Sequence, residues 1–151
     1  MSGLTNAQIQ AIRDSWDLVL PNKKQLGVDF FLQFFADNPQ YQDLFSKLKG
    51  MSASELKTSP KLRAHATLVF HSLTALVQNL DDPDCLVQLI TKIATDHHPR
   101  GIRLEHYQNL GKTLLAFFED KLGKKFDPMT RNAWEAVLTA IVTVVRQTTN
   151  E

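Results

Sequence analysis

The chain has 151 residues, of which 43% are hydrophobic and 22% are charged, and its formal net charge is +1 at pH 7. That length predicts one globular domain over residues 1–151, and the composition excludes a disordered chain. A charge so close to zero argues against nucleic acid or an anionic membrane as a partner, since both attract strongly basic proteins.

No segment of the sequence predicts export or membrane insertion. The apolar run AVLTAIVTVV near the C-terminus is too short to cross a bilayer, and the start, MSGLTNAQIQ, lacks the basic-then-apolar pattern of a signal peptide. Cys85 is the one cysteine, which excludes an internal disulfide and agrees with a reducing compartment. We therefore expect a cytoplasmic protein.

Helix starts are marked by capping residues along the chain. Thr5 with Gln8, and Ser52 with Glu55, have the spacing of a capping box, in which each side chain serves the other residue's backbone. Each of the other predicted helix starts has a capping residue followed by proline at the first helical position. Proline lacks an N–H, and an N–H at that position would have no partner within the helix. In chain order these pairs are Asn38-Pro39, Ser59-Pro60, Asp82-Pro83 and Asp127-Pro128.

Apolar residues between these marks recur every three, four or seven positions, which is the helical period. The segment KKQLGVDFFLQFF is apolar on more than one face and predicts a helix buried from several sides. No segment shows sustained alternation of the strand type. The predicted fold class is all-α, with about six major helices and one or two short ones. The stripes are Ile9, Ile12, Trp16 and Leu20; Leu62, Val69, Leu73, Leu76 and Leu80; Leu86, Ile90 and Ile93; Tyr107, Leu110, Leu114 and Phe118; and Trp134, Val137, Ile141 and Val144.

Two of the five histidines lie on these stripes and therefore face the predicted core. His65 follows Leu62 by three residues, which places it on the apolar face of its helix. His97 follows Ile93 by four residues and faces inward for the same reason. His98 is turned from His97 by about 100° around the helix and precedes a proline, where the helix should stop.

Inward histidines have several interpretations. The commonest is a core residue whose ring is satisfied by a backbone carbonyl. A zinc site needs three or four protein ligands, and no cysteine or carboxylate lies on either stripe to complete one.

Cys85 stands between Asp82 and Asp84, which oppose thiolate formation, so a half-buried packing role suits it better than catalysis. The scattered glycines form no phosphate-binding loop. Haem takes one or two axial imidazoles in a wide apolar slot, and it fits the pattern.

Three stretches carry a resemblance to a known family. NPQYQDLF, SPKLRAHATLVF and KIATDHHPRGIRLEHYQNLG are similar to the haem-contacting segments of the globins, and the likeness is closest in pattern to intracellular haemoglobins of molluscs and arthropods. The resemblance implies that Phe45 stacks on the haem, and that His65 is the distal histidine with Val69 one turn further on. It implies that His97 is the proximal iron ligand and that Phe31 overhangs the distal pocket.

The same resemblance implies a wider set of haem contacts. Apolar residues at the proximal side and haem edge would be Ile93, Ile102 and Tyr107. Basic residues for the haem propionates would be Lys92, Arg100 and Arg103. The chain departs from the family pattern three residues after His65, where Leu68 replaces a basic or polar residue and removes one usual propionate contact.

The resemblance implies haem b (iron protoporphyrin IX) as cofactor and reversible dioxygen binding for storage or transport, without an enzymatic main role. Dioxygen, carbon monoxide and nitric oxide would be its ligands, and a homo-oligomer is compatible with the family. Because Phe31 is apolar, His65 is the evident hydrogen-bond donor to bound oxygen. His65 could instead bind the iron itself, which would favour redox, nitric-oxide or nitrite chemistry on a six-coordinate haem. The third alternative is a haem-free helical interaction module in which both histidines are core residues.

Overall fold

The computed structural model describes residues 3–151, which form helices joined by short turns. The helices are α1 (Asn6–Val19), α2 (Lys23–Asp37), α3 (Ala53–Thr58), α4 (Pro60–Gln78), α5 (Pro83–His97), α6 (Leu104–Leu122) and α7 (Pro128–Thr149). The 3₁₀ turns of the same residues are Leu20–Asn22, Pro39–Leu44, His98–Arg100 and Gly123–Lys125. Residues 3–151 contain no strand, so the predicted all-α fold with about six major helices and one or two short ones is confirmed. None of the described helices combines the length and the apolar character that a membrane span requires.

Most of the predicted helix starts are confirmed. At the start of α1 the Thr5 hydroxyl accepts from the Gln8 N–H at 3.1 Å, and the Gln8 side chain accepts from the Thr5 N–H at 2.9 Å. Each of these bonds satisfies a backbone donor that a helix end leaves free. The other confirmed caps are Ser52 with Glu55, Ser59 with Leu62, Asp82 with Cys85 and Asp127 with Thr130.

The prediction that Asn38 caps a following helix is wrong. Pro39 begins a 3₁₀ turn, and the Asn38 side chain makes no capping bond to it. Its amide instead donates back to the carbonyl oxygen of Phe34 at 3.1 Å and closes the end of α2. An asparagine amide both donates and accepts, so it can serve the carbonyls that end one helix as well as the N–H groups that begin the next.

The helix α2 is buried on several faces, as its sequence predicts, because it packs against both α4 and α6. Phe30, Phe31 and Phe34 are each at most 2% exposed. The Phe30 ring lies 6.2 Å from Phe70 of α4 and 5.6 Å from Phe117 of α6, measured between ring centroids. Burial of one such ring contributes about 1.5–3 kcal/mol to folding.

A second aromatic cluster joins α1 to α7. Trp16 and Trp134 are 1% and 2% exposed, and their ring centroids are 6.0 Å apart. Both indole N–H groups have partners: Trp134 Nε1 donates to the Ser15 hydroxyl at 2.8 Å, and Trp16 Nε1 donates to the Thr74 hydroxyl at 2.9 Å. These bonds satisfy donors that would otherwise be costly to bury.

The helices α2 and α4 approach each other closely at Gly27. A Cβ atom added to Gly27 would lie 3.0 Å from the Cβ of Ala66, which is tighter than nine in ten such contacts in proteins. The absence of a side chain at Gly27 therefore sets the α2–α4 distance. His65, the neighbour of Ala66 in α4, also contacts α2, with its ring centroid 4.8 Å from that of Phe31.

Candidate functional site

An apolar cavity lies between α4 and α5 and is closed by residues of α2, α6 and α7. Polar atoms form only a small part of its lining, which suits a flat and largely hydrophobic ligand. The predicted site residues that line this cavity are Phe31, Phe45, His65, Val69, Ile93, His97, Ile102 and Tyr107. The two predicted histidines therefore reach the same cavity from different helices.

His97 is held in a defined orientation at the last residue of α5. Its Nδ1 lies 2.6 Å from the carbonyl oxygen of Ile93, one turn earlier in the helix. Because a carbonyl can only accept, Nδ1 must carry the proton, and in the neutral ring the Nε2 lone pair is then free. A backbone carbonyl that fixes the tautomer in this way is typical of a metal-binding imidazole.

His98 takes no part in the cavity. The α-helix ends at His97, and His98 begins the 3₁₀ turn that leads to Gly101. The His98 Nδ1 lies 3.4 Å from the guanidinium of Arg103, and the His98 carbonyl accepts from the same guanidinium at 2.8 Å. The different directions of the two adjacent histidines agree with the helical period.

His65 is enclosed by aromatic rings. Its ring centroid lies 4.8 Å from that of Phe31 and 4.8 Å from that of Phe45, in each case edge to face. Its Nε2 is buried and has no hydrogen-bond partner within residues 3–151. Burial, together with the nearby charges of His97 and Arg100, lowers the pKa of His65 to about 4. The ring is therefore neutral at physiological pH, with a buried nitrogen available to a ligand in the cavity.

Tyr107 contributes a second buried polar atom without a partner. Its hydroxyl makes no hydrogen bond to any described residue, and its ring centroid lies 6.4 Å from that of His97. Burial raises the pKa of the Tyr107 phenol to about 12, with a smaller contribution from the charge of Glu151. The phenol is therefore neutral and keeps its proton.

The basic residues predicted near the site lie outside the cavity lining. Lys92 forms an ion pair with Asp96 at 3.0 Å, and its side chain is 77% exposed. Arg103 donates to the carbonyl oxygens of His98 and Ile102 and so ties the turn together. Arg100 is exposed, and its charge is close enough to affect the pKa of His65.

His106 is a lining residue that the sequence analysis assigned to no role. It borders the cavity, and its ring centroid lies 4.6 Å from that of Tyr41. Its Nδ1 accepts from the Arg103 N–H at 2.8 Å at the beginning of α6. The sequence does carry a signal for this placement, because His106 stands four residues before Leu110 and therefore on the same face of the helix.

The residues fit a haem better than a bare metal ion. Within residues 3–151, no three side chains of His, Cys, Asp or Glu gather into a group that could hold a metal ion. Cys85 is half-buried, as predicted, and does not border the cavity. An apolar slot with a free imidazole Nε2 at His97 and an unpartnered imidazole Nε2 at His65 matches the donor set that a haem iron takes.

Comparisons with known proteins agree with this geometry. The family model described as Globin matches residues 28–145. A globin of Nerita albicilla is 34% identical over 145 residues, covering 96% of this chain and 92% of its own length. Hemoglobin-3 of Phacoides pectinatus is 31% identical over 144 residues, covering 95% of this chain and 93% of its own. Among solved structures, ferric Aplysia limacina myoglobin superposes with a TM-score of 0.89 at 23% identity, covering 97% of this chain and 99% of that one.

Proposed function

Because this chain belongs to the globin family, we propose that it is a haem b protein that binds dioxygen reversibly for storage or transport. When bound, the haem supplies a ferrous iron, which takes up a diatomic gas. Binding without turnover is the main role under this proposal. Two observations support dioxygen binding. A similar protein bears the name Hemoglobin-3, and the apolar cavity is lined by two imidazoles.

His97 is the protein ligand of the iron in this proposal. Its Nδ1–H donates to the Ile93 carbonyl oxygen at 2.6 Å, which leaves the lone pair of Nε2 to bind the iron. The hydrogen bond also increases the basicity of the ring and restricts its rotation, both of which strengthen a metal bond. The observation that carries the proposal is this bond together with the unpartnered His65 Nε2 in the same cavity.

His65 serves as the hydrogen-bond donor to the bound gas. Its pKa of about 4 keeps it neutral, so it can present an N–H without placing a full charge in the pocket. Phe31 and Phe45 pack against its ring and exclude water from the same side. Exclusion of water by these rings would help to keep a bound haem in the ferrous state that dioxygen binding needs.

The remaining site residues hold the cofactor by packing and charge. Val69, Ile93, Ile102 and Tyr107 supply apolar contact around it. Arg100 is the preferred partner for a haem propionate, since its charge acts near His65 and the structure assigns it no ion pair within residues 3–151. Lys92 is a weaker candidate because it already pairs with Asp96.

A second candidate function rests on the same unpartnered Nε2 of His65. If His65 binds the iron directly, a gas must displace it, and the apparent affinity falls with the fraction of open protein. Such a haem would suit electron transfer, nitric-oxide or nitrite chemistry with an external reductant.

The visible absorption spectrum of the purified, dithionite-reduced protein under nitrogen tests both candidates. One broad band, replaced at once by the carbon monoxide spectrum on exposure to that gas, is expected for a five-coordinate iron and supports dioxygen binding. Two sharp bands that yield slowly to carbon monoxide would place His65 on the iron and favour the second function. A colourless protein that takes up no added haemin would contradict both.

A further inference from the structure

The helix α6 takes its capping carboxylate from a distant part of the chain. Arg103 precedes its first residue, Leu104, and an arginine side chain has no oxygen that could accept from the free N–H groups of a helix start. The Glu151 carboxylate fills this role, since its Oε1 and Oε2 atoms accept from the Leu104 N–H at 3.1 and 3.2 Å. A negative charge is also favourable at the N-terminal end of a helix.

The end of α7 fixes Glu151 in this position. Asn150 has a left-handed backbone conformation, with a φ of 58°, which asparagine adopts more readily than most residues and which ends many helices. The N–H of Glu151 then donates back to the carbonyl oxygen of Arg146 at 3.2 Å. The Thr149 hydroxyl lies 2.7 Å from the Glu151 Oε2 atom. Glu151 is therefore held through its backbone as well as through its side chain.

Residues 98–103 join α5 to α6, and we refer to them as the α5–α6 turn. Hydrogen bonds run along the whole turn. The Ile102 N–H lies 3.4 Å from the carbonyl oxygen of His97, and the Arg103 guanidinium donates to two carbonyl oxygens of the turn at 2.8 and 3.1 Å. Because His97 stands at one end of the turn and Leu104 at the other, a displacement of Leu104 is passed on to His97.

The same segment borders the apolar cavity. Ile102 of the α5–α6 turn and Tyr107 of the first turn of α6 line the cavity together with His97. The Glu151 charge is close enough to contribute to the raised pKa of the Tyr107 phenol. The position of the start of α6 therefore affects several residues around the space for the haem.

We propose that Glu151 is a positioning residue for His97, the iron ligand of the proposed function. Its carboxylate holds the Leu104 N–H, fixes the α5–α6 turn and so restricts the positions that the His97 ring can take relative to the iron. This inference rests on the proposed function, because it requires an iron bound to His97. Glu151 itself lies outside the cavity lining and acts only through the turn.

Hydrogen exchange of the Leu104 amide, followed by NMR on the haem-loaded carbon monoxide complex, tests the bond itself. Glu151→Ala should exchange about two- to fivefold faster, the size expected for one carboxylate at a helix N-terminus. Glu151→Gln keeps an acceptor oxygen without the charge and should lie between. Glu135→Ala is the matched control, because Glu135 is an exposed α7 carboxylate that pairs with Arg131. Equal exchange in Glu151→Ala and the parent protein would overturn the inference.

The bond between the iron and His97 supplies the second readout. The iron–histidine stretching band, recorded by resonance Raman spectroscopy directly after photodissociation of carbon monoxide, should shift and broaden in Glu151→Ala. Loss of haemin to an excess of apomyoglobin should be about two- to fivefold faster. An unchanged band together with faster exchange of the Leu104 amide would mean that the bond exists but does not position His97. The inference would then be wrong, although the proposed function stands.

Leu104 offers a pair of variants that remove the donor instead of the acceptor. Leu104→Pro lacks the N–H, and proline suits the first position of a helix. Arg103 already has the extended backbone, with φ −123° and ψ 171°, that a residue before proline adopts. Leu104→Ala loses the same side chain but keeps the N–H, so it is the control background.

Glu151→Ala should speed haemin loss in the Leu104→Ala background and have little effect in Leu104→Pro, where the donor is already gone. Equal effects in both backgrounds would show that Glu151 does not act through this N–H, and would overturn the inference. If the parent protein takes up no haemin, the proposed function and the inference fail together.

Discussion

The Nδ1 of His97 lies 2.6 Å from the carbonyl oxygen of Ile93, one helical turn earlier in α5. This bond leaves the Nε2 of His97 as the donor atom for a ligand in the cavity, while the neighbouring His98 interacts with Arg103 outside it. The two adjacent histidines thus have different surroundings, which makes them a natural matched pair for mutagenesis.

His97→Ala should abolish stoichiometric haem retention, because it removes the iron's protein ligand. Added imidazole should restore part of the haem spectrum by occupying the space of the lost ring. His98→Ala should retain haem like the parent protein. The ratio of Soret to protein absorbance, before and after gel filtration, measures the result. Loss of haem in His98→Ala with retention in His97→Ala would mean that the assignment is wrong by one residue.

His65→Ala should increase the dioxygen dissociation rate and the rate of iron oxidation. A hydrogen bond of the charge-assisted kind contributes on the order of 1.5–3 kcal/mol, which corresponds to roughly a ten- to hundredfold faster dissociation. His65→Gln keeps an N–H donor and should show a smaller change. Stopped-flow displacement of dioxygen by carbon monoxide measures the rate. Equal rates in the parent protein and His65→Ala would show that His65 makes no such bond.

The sequence alone predicts the direction of both histidines because a helical period fixes which residues share a face. His65 and His97 lie on apolar stripes, and the structure places both in one cavity. The helix starts at Ser59 and Asp127 were equally predictable, because each side-chain oxygen accepts from a backbone N–H in the first turn of the helix that follows. Asn38 shows the limit, because its amide can close the preceding helix as well as open the next.

Features that depend on packing between distant helices were not predictable. His106 borders the cavity because α6 crosses the chain near Tyr41, a meeting of segments far apart in sequence. Leu138 and Val142 likewise reach the cavity beside Tyr107 because α7 packs against α6. The ion pair of Lys92 with Asp96 has the i,i+4 spacing of a pair on a helix surface, so the sequence indicates it. The choice of Lys92 between Asp96 and a haem propionate depends on the position of its side chain in the folded protein, which the sequence does not give.

Gly27→Ala should destabilise the protein, because a Cβ at that position would lie 3.0 Å from the Cβ of Ala66. Overpacking of a core costs about 1–3 kcal/mol, which outweighs the gain in helix propensity of about 0.5–1 kcal/mol. Gly111→Ala is the control, since its added Cβ makes ordinary contact and should stabilise slightly. Urea unfolding of both variants gives the comparison, and an unchanged free energy of unfolding in Gly27→Ala would mean that α4 shifts freely.

Ser15→Ala should lower the free energy of unfolding by about 1–3 kcal/mol, because it leaves a buried indole N–H without an acceptor. The Ser15 hydroxyl is 2.8 Å from Trp134 Nε1, and Ser15 is 3% exposed. In the Trp134→Phe background the same change should cost less, since the donor is gone. A double-mutant cycle by urea unfolding measures the difference, and fully additive effects would exclude a contribution from the bond.

Asp127→Ala should lower the urea midpoint at neutral pH, and the difference from the parent protein should disappear in acid. The N–H and hydroxyl of Thr130 bond to the Asp127 carboxylate and lower its pKa below the ordinary value of 3.8. A carboxyl with a lowered folded-state pKa contributes its full stability above the unfolded value and loses it as the pH falls through the folded value. Asp127→Asn keeps a capping oxygen without a charge, so its midpoint should depend less on pH in that range. Parallel pH series of urea unfolding for the three proteins measure this, and a constant gap between Asp127→Ala and the parent protein down to acid pH would show that the cap does not depend on the charge.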